Sequence, residues 1–469
     1  MDSKPPLEYA LPCSPSFKCL DRFSIIENPE DLEDENGMIP FWPVLESLLQ
    51  SPVHSSRQLA DLLETIAVTL RETSEPAGDY GLLKSFIDEH LTQTFFKEVW
   101  PQLVQFALEL PQHFPSGSLP VLQTDASTRP HPSVSALSLN RRQTACLVAH
   151  QFLCTLRAPS WRDECSDFSI WYGSNQRHEE ACRIYLSCLF TYLERQLSEP
   201  PQSTKSQHNI IYSLHRTGPT SKALASGASE KPLAPIEIEI TDRYETSPLH
   251  LGLPGGAAVV SGNRHIGFGQ SATQEEIVVG SSPEACPAVL VIRGTEAVRN
   301  VVGQCREIRV VPQSTVAEEE GTDWSRRTML FMDALEIDNL SASDTEGVLP
   351  DLVPAHIDRE LIKAMTAFSS GVYEVVNAPL WGCGAFGGDP FVKVMLMWCA
   401  ASAVGKHRAK LRILCDVASR GVAEDLGRLM GRVTERLGSA QQLLGLVRSI
   451  PGETERLATY GVMMALLVK

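Results

Sequence analysis

Two stretches of the 469-residue chain carry residue types that could do chemistry. Residues 263 to 276 read Asn-Arg-His-Ile-Gly-Phe-Gly-Gln-Ser-Ala-Thr-Gln-Glu-Glu. Here Gly267 and Gly269, which let a backbone come close to a ligand, precede the adjacent carboxylates Glu275 and Glu276. Such a carboxyl can give or take a proton at a reacting oxygen. In an extended loop successive side chains face opposite ways, so one of the pair would meet a ligand while the other reaches elsewhere. Residues 381 to 390 read Trp-Gly-Cys-Gly-Ala-Phe-Gly-Gly-Asp-Pro, a glycine-rich turn running into a helix with Asp389 as N-cap and Pro390 in the first turn. The N–H groups of Gly384 to Gly388 and of that first helical turn form a ready anion site. Each stretch has a plainer reading, since paired glutamates are common on wet loops and a glycine turn often only ends a strand. Their occurrence in one chain favours acid chemistry beside a phosphate cradle.

The elements that must position these residues are read from periodicity. Leu59, Leu62, Leu63 and Ile66 share one helical face, and Val99, Leu103, Phe106 and Leu110 another, with Pro101 marking a helix start. Further helices are expected at 141–153, where His150 reads as a structural histidine, and at 179–197. Residues 113–137 read as a loop and 198–233 as an irregular connection holding an edge strand at 209–214. Ile236 to Ile240 alternates apolar and acidic residues, as a half-buried strand does. More strands are expected at 257–261, 288–293, 306–311, 329–335 and 411–417, and helices at 358–368, 390–404, 424–437 and 439–450. That alternation predicts an α/β sheet covered by helices. The expected divisions are an acidic arm at 1–36, disordered or loosely docked, a helical region at 37–195, the connection at 196–233, and the α/β domain with C-terminal helices at 234–469.

Composition bounds the partners. A net charge of −16 argues against nucleic acid, because such contacts rest on clustered Lys and Arg. No apolar run of about 18 residues appears, and the first residues, Met1 to Pro6, lack the features of a secretory signal, so no membrane is expected and the reading is intracellular. The 12 cysteines include no Cys-x-x-Cys pair, which favours buried thiols over a metal site.

Together the two stretches resemble the poly(ADP-ribose) glycohydrolase family, whose pattern is a run of glycines, a spacer and Gln-Glu-Glu, followed well downstream by Gly-Cys-Gly-Ala-Phe-Gly-Gly-Asp. The second pattern stands intact at Gly382 to Asp389, while Gly267-Phe268-Gly269 replaces the glycine run and a spacer shorter than the family's leads to Gln274. The resemblance implies a macrodomain-like mixed sheet flanked by helices, with an N-terminal all-helical accessory region. It also implies hydrolysis of ribose–ribose O-glycosidic bonds in poly(ADP-ribose) with no metal or organic cofactor, and residence in nucleus or cytoplasm in the response to DNA damage. By it Glu276 is the general acid, Glu275 holds ribose hydroxyls and Gln274 leads the triplet. Glu237 reads the adenine edge, Asn263 precedes the glycine turn, Gly384, Ala385, Gly387 and Gly388 hold the diphosphate, and Phe386 packs on a ribose. Val260, Gln304 and Leu380 stand where the family has an aspartate, an adenine-stacking tyrosine and an asparagine. A catalytically weak module that binds ADP-ribose or its polymer without cleaving it fits the same residues.

Overall fold

The computed structural model describes residues 7–27, 29–71, 77–91, 94–122, 133–162, 166–200, 209–216, 231–241, 247, 249–292, 304–309, 327–337, 340, 345, 347–404 and 409–468. Its frame is one mixed sheet of eight strands: β1 (Ser133–Asn140), β2 (Asn209–Arg216), β3 (Ile236–Thr241), β4 (Ala257–Gly262), β5 (Gln304–Arg309), β6 (Thr328–Asp333), β7 (Val375–Ala378) and β8 (Lys410–Asp416). They lie in the order β1-β2-β5-β6-β4-β7-β8-β3. The five from β6 to β3 are parallel, and β1, β2 and β5 continue the sheet antiparallel. Parallel neighbours need long crossovers, and helices supply them.

Helices are α1 (Phe41–Leu49), α2 (Ser56–Leu70), α3 (Gly81–His90), α4 (Trp100–Ala107), α5 (Arg141–Phe152) and α6 (Glu179–Ser198) in the first half. The second half has α7 (Gln274–Gly280), α8 (Pro354–Phe368), α9 (Pro390–Ala403), α10 (Arg420–Arg436), α11 (Ala440–Arg448) and α12 (Thr459–Leu466). Their starts are chemically specified: Ser55 caps α2, Asn140 and Gln143 close a capping box on α5, and Ser439 caps α11.

The sheet separates two apolar layers, and β6 shows how. Met329 and Phe331 point into a cluster shared with the N-terminal helices, and Leu330 and Met332 into one shared with α8, α9 and the C-terminal helices. The strand is buried on both faces, so its sequence runs apolar without alternation.

Several expectations need correction. The arm at 1–36 is docked where it is described: Glu8–Ala10 pairs with Ser118–Pro120, and Tyr9, Leu11, Phe17 and Cys19 are buried in the first cluster. Apolar side chains interleaved with the acidic ones hold it down. The expected edge strand at 209–214 lies inside the sheet, because Ser133–Asn140, whose first part fell in the loop expected at 113–137, is a strand that covers it. The helical region and its connection thus contribute two strands to the sheet. Of the strand expected at 288–293, Ala288–Val291 forms a short helix instead; with all four of its residues buried, it offers no period to read. The acidic run Glu318 to Glu320, whose charge alone reads as a solvated loop, lies outside the described residues.

Candidate active site

The two chemically suggestive stretches leave the C-terminal ends of adjacent parallel strands. Residues 263–276 follow β4, and 379–389 follow β7, which pairs with β4 through Val376 and Asn377. One hydrogen bond joins them: the Gly382 N–H donates to Ser261 Oγ at 3.1 Å. The carboxyl ends of neighbouring strands in an open α/β sheet are the usual place for a ligand.

Glu275 and Glu276 lie in the first turn of α7, where an extended loop was expected. The short connector fixes this geometry. Thr273 is the N-cap and Glu276 its capping-box partner: Thr273 Oγ1 accepts from the Glu276 N–H, and Glu276 Oε2 accepts from the N–H groups of Thr273 and Ser271, both at 2.9 Å. The carboxylate lies so close to Gly269 that a Cβ there would sit 1.6 Å from Glu276 Oε1. Gly269 is needed for that contact, and with Gly267 it is buried rather than open to a ligand. Glu275 points the other way, buried, its Oε2 accepting from the Asn263 N–H at 2.6 Å. Asn263 is a turn residue whose Oδ1 accepts from the His265 N–H. Gln274 is committed to β4, where its Oε1 accepts from the Ser261 N–H at 2.7 Å and its Nε2 donates to Val259 O. The triplet divides its work: Gln274 pins α7 to the sheet, Glu275 pins the turn, and Glu276 closes the loop.

This loop is held from the helical side by residues that sequence reasoning missed. Arg162 donates to Ile266 O, Trp171 Nε1 donates to Gly269 O at 2.9 Å, and Phe268 packs edge-on against Phe168 and Trp171. Tyr185 of α6 packs on Gly280, one helical turn beyond Glu276. Its hydroxyl pKa is pushed up by burial first and by the charge of Glu276 second. No local motif announces any of these.

In the glycine loop Asp389 does cap α9, and here the expectation about free donors is corrected. Asp389 Oδ1 accepts from the N–H groups of Phe391 and Val392, and the Lys393 N–H bonds Asp389 O, so the first helical turn is used up. Gly387 and Gly388 also spend their amides inside the loop, on Gly384 O and Gly382 O at 3.0 and 2.9 Å. Their role is conformational: Gly387 has φ +71°, and a Cβ at Gly388 would meet Gly382 O at 2.7 Å. The N–H groups of Gly384, Ala385 and Phe386 donate to no partner among the described residues, and Gly384 and Ala385 are exposed. These three consecutive amides are what the loop offers an anion.

Beneath the loop lies a buried charge cluster. Lys393, fully buried, contacts Asp351 at 3.3 Å, forms an ion pair with Glu360, and places its Nζ 5.2 Å from the Trp381 ring centre. Burial pulls its pKa down, but the charges of Glu360 and Asp351 outweigh that and the net shift is upward, so it stays a cation. Asp351 Oδ2 accepts from the Asp389 N–H at 2.7 Å, which connects the cluster to the end of the loop. A lone lysine inside the apolar run of α9 was its sequence signal.

Glu237 is not brought to this rim. It pairs in register with Arg412, which pairs with Asn377, which pairs with Ala258. Gly262 lies four residues further along β4, about 13 Å at 3.3 Å per residue. Glu237 instead makes ion pairs with Lys410 and Arg412, each at 2.5 Å. Burial raises its pKa, but the hydrogen bonds from Lys410 and Arg412 outweigh that and leave its carboxyl below the usual range. Phe386 is half-buried against the second apolar cluster. Val260 is buried in the first cluster, Leu380 is partly buried against the second, and the Gln304 side chain lies outside the described residues.

Comparison with known proteins gives two matches to family models. Residues 87–213 match the model described as poly(ADP-ribose) glycohydrolase, helical domain, and residues 228–413 the model described as poly(ADP-ribose) glycohydrolase, macro domain fold. Together they span well over half of the chain. Among solved structures the chain is similar to poly(ADP-ribose) glycohydrolase from Deinococcus radiodurans in complex with ADP-ribose, in a mutant form at 15% identity and in another structure at 13%. Each covers 46% of this chain, and 92% and 91% of the other, with a TM-score of 0.31. It is also similar to alphavirus P23pro-zbd at 9% identity, covering 72% of this chain and 40% of that one with a TM-score of 0.27. Likeness at these scores establishes neither activity nor ligand.

Proposed function

Because the chain belongs to the poly(ADP-ribose) glycohydrolase family, we propose that it hydrolyses the ribose–ribose O-glycosidic bonds of poly(ADP-ribose), with Glu276 as the general acid. The observation that supports this reading is the Gly382–Ser261 hydrogen bond, which joins the end of β4, from which the α7 segment leaves, to the glycine loop that carries the three open amides of Gly384 to Phe386. A diphosphate on those amides puts the attached ribose on the same sheet rim as α7. Glycosidic cleavage needs a proton on the leaving oxygen as positive charge develops at the anomeric carbon. Glu276 gives that proton, and water completes the hydrolysis. The negatively charged diphosphate favours the developing cation. Backbone amides and not surface cations bind the phosphates, which reconciles a polyanionic substrate with a chain of charge −16.

A second reading has its own support. Glu276 Oε2 accepts from two loop amides and the carboxylate lies against Gly269, so the short connector folds it back on its own loop. A module that binds ADP-ribose without cutting would keep this arrangement unchanged. Incubating the purified protein with a poly(ADP-ribosyl)ated substrate separates the two. Release of ADP-ribose supports the hydrolase, whereas calorimetric binding of ADP-ribose with no release supports the reader.

A further inference from the structure

Three open amides bind an anion well only if their peptide planes cannot turn over, and a glycine-rich loop resists turning poorly. What holds each plane can be read from the carbonyl it shares. In a trans peptide the C=O of one residue and the N–H of the next point in opposite directions. The N–H of Ala385 belongs to the plane whose oxygen is Gly384 O, and that oxygen accepts from the Gly387 N–H at 3.0 Å. The N–H of Gly384 belongs to the plane whose oxygen is Cys383 O. Nothing in the loop itself holds that oxygen; its partner is Arg456, whose Nη2 donates at 3.2 Å while its Nε donates to Gly388 O at 3.1 Å. One guanidinium thus spans both ends of the turn.

Arg456 is delivered by a segment beyond residue 413, where the macro-fold match ends. The strap at 451–459 is fastened independently of the arginine. The Leu457 N–H donates to Asp389 Oδ2 at 2.8 Å, Thr459 Oγ1 donates to the same carboxylate at 2.9 Å, and the Leu349 N–H donates to Gly452 O at 2.7 Å. Leu457 is held at φ +70°, a conformation that a leucine rarely adopts. Asp389 is therefore shared between capping α9 and anchoring the strap. The guanidinium lies behind the Cys383–Gly384 peptide, at its oxygen end, where a cation also polarises the opposite N–H.

We propose that Arg456 is a positioning residue for the anion site: by holding Cys383 O and Gly388 O from behind, it fixes the Gly384 N–H outward as a donor to the diphosphate. The C-terminal segment is then part of the binding site. The inference rests on the ADP-ribose reading for its ligand but not for its mechanism, and two measurements on the full-length chain keep these apart. The first is calorimetric affinity for ADP-ribose in wild type, Arg456→Ala, Arg456→Lys and, as a control on strap docking alone, Thr459→Val. Arg456→Ala is expected to weaken binding roughly tenfold, the size of one hydrogen bond to a charged group. Arg456→Lys recovers part of this, and Thr459→Val loses less than Arg456→Ala. The second uses selective 15N-glycine labelling without ligand, where the Gly384 amide signal should shift and broaden in Arg456→Ala while the Gly269 signal stays in place. Equal affinity together with an unmoved Gly384 signal in a folded Arg456→Ala protein would overturn the proposal. If the wild type does not bind ADP-ribose, the functional reading fails, and an unmoved or altered Gly384 signal still decides the clamp.

Discussion

The chemistry attributed to Glu276 depends on a glycine. Gly269 leaves room for the carboxylate, and any side chain there would collide with it while leaving the Gly384 to Phe386 amides untouched. Gly269→Ala should therefore displace Glu276 without displacing the diphosphate. A misplacement of about 1 Å at a reacting group can cost around 10² in rate. Initial rates of ADP-ribose release should fall by about that factor while calorimetric affinity for ADP-ribose stays within a few-fold. A Gly269→Ala protein as fast as wild type would mean that the carboxylate position does not matter. At this scale the sequence was informative about identity and poor about geometry. Glu275, Glu276 and the glycine loop were recognisable as a pair of stretches, but that Glu276 caps α7 comes from Thr273 lying three residues before it, a capping-box spacing that the catalytic reading obscured. That Glu237 lies about four residues below the rim was not legible, because strand register is a property of pairing and not of one strand's sequence.

Elements were legible where one face meets water. The β3 run Ile236 to Ile240 alternates because its isoleucines pack on the second apolar cluster while Glu237 and Glu239, on the other face, pair with Lys410 and Arg412, and α10 keeps a clear apolar stripe through Leu426, Leu429, Met430 and Val433. Burial all round hid the period of Ala288–Val291, which reads equally well as strand or helix, whereas α5, buried at every position except Arg142 and Gln143, was still read as a helix because it runs for 12 residues. His150 on α5 shows what such burial does. Both ring nitrogens are engaged, Nε2–H donating to Ala107 O of α4 at 3.0 Å and Nδ1 accepting from the Thr155 hydroxyl at 2.7 Å. Burial lowers its pKa from 6.5 to about 4. The folded state therefore binds this proton less readily than the unfolded state. The stabilisation is complete above pH 6.5, falls as pH drops toward about 4, and is constant below that. A shift of this size corresponds to about 3 kcal/mol. Denaturant melts from pH 7 to pH 4 should show wild type losing about that much more stability than His150→Gln. Parallel pH curves for the two proteins would remove His150 from the acid sensitivity.

At the scale of the molecule, the helical half and the sheet should behave as one folding unit. The first apolar cluster runs from Tyr9 through α6 to Val260, Phe268, Val289, Met329 and Phe331. Arg141 and Glu284, both buried, form an ion pair across the same interface at 2.9 Å, and Tyr212 donates to Glu284 O at 2.6 Å. The fragment 230–469 alone would expose that apolar face, so it should melt at lower temperature and less cooperatively than the whole chain; an equal, cooperative melt would show two separable units. The same packing lets the helical half shape the site through Trp171 and Arg162. The proposed reaction nevertheless turns on one proton. Glu276→Gln keeps an oxygen to accept from Ser271 and Thr273 but cannot donate to a leaving group. General-acid assistance contributes about 10²–10⁴ in rate, while in the proposed reading affinity rests on the glycine-loop amides. The direct measurement is single-turnover release of ADP-ribose from polymer alongside calorimetric affinity, for wild type and Glu276→Gln. A fall in rate of about 10² or more at nearly unchanged affinity is the expected result, and equal rates in the two proteins would contradict the assignment of Glu276 as the acid.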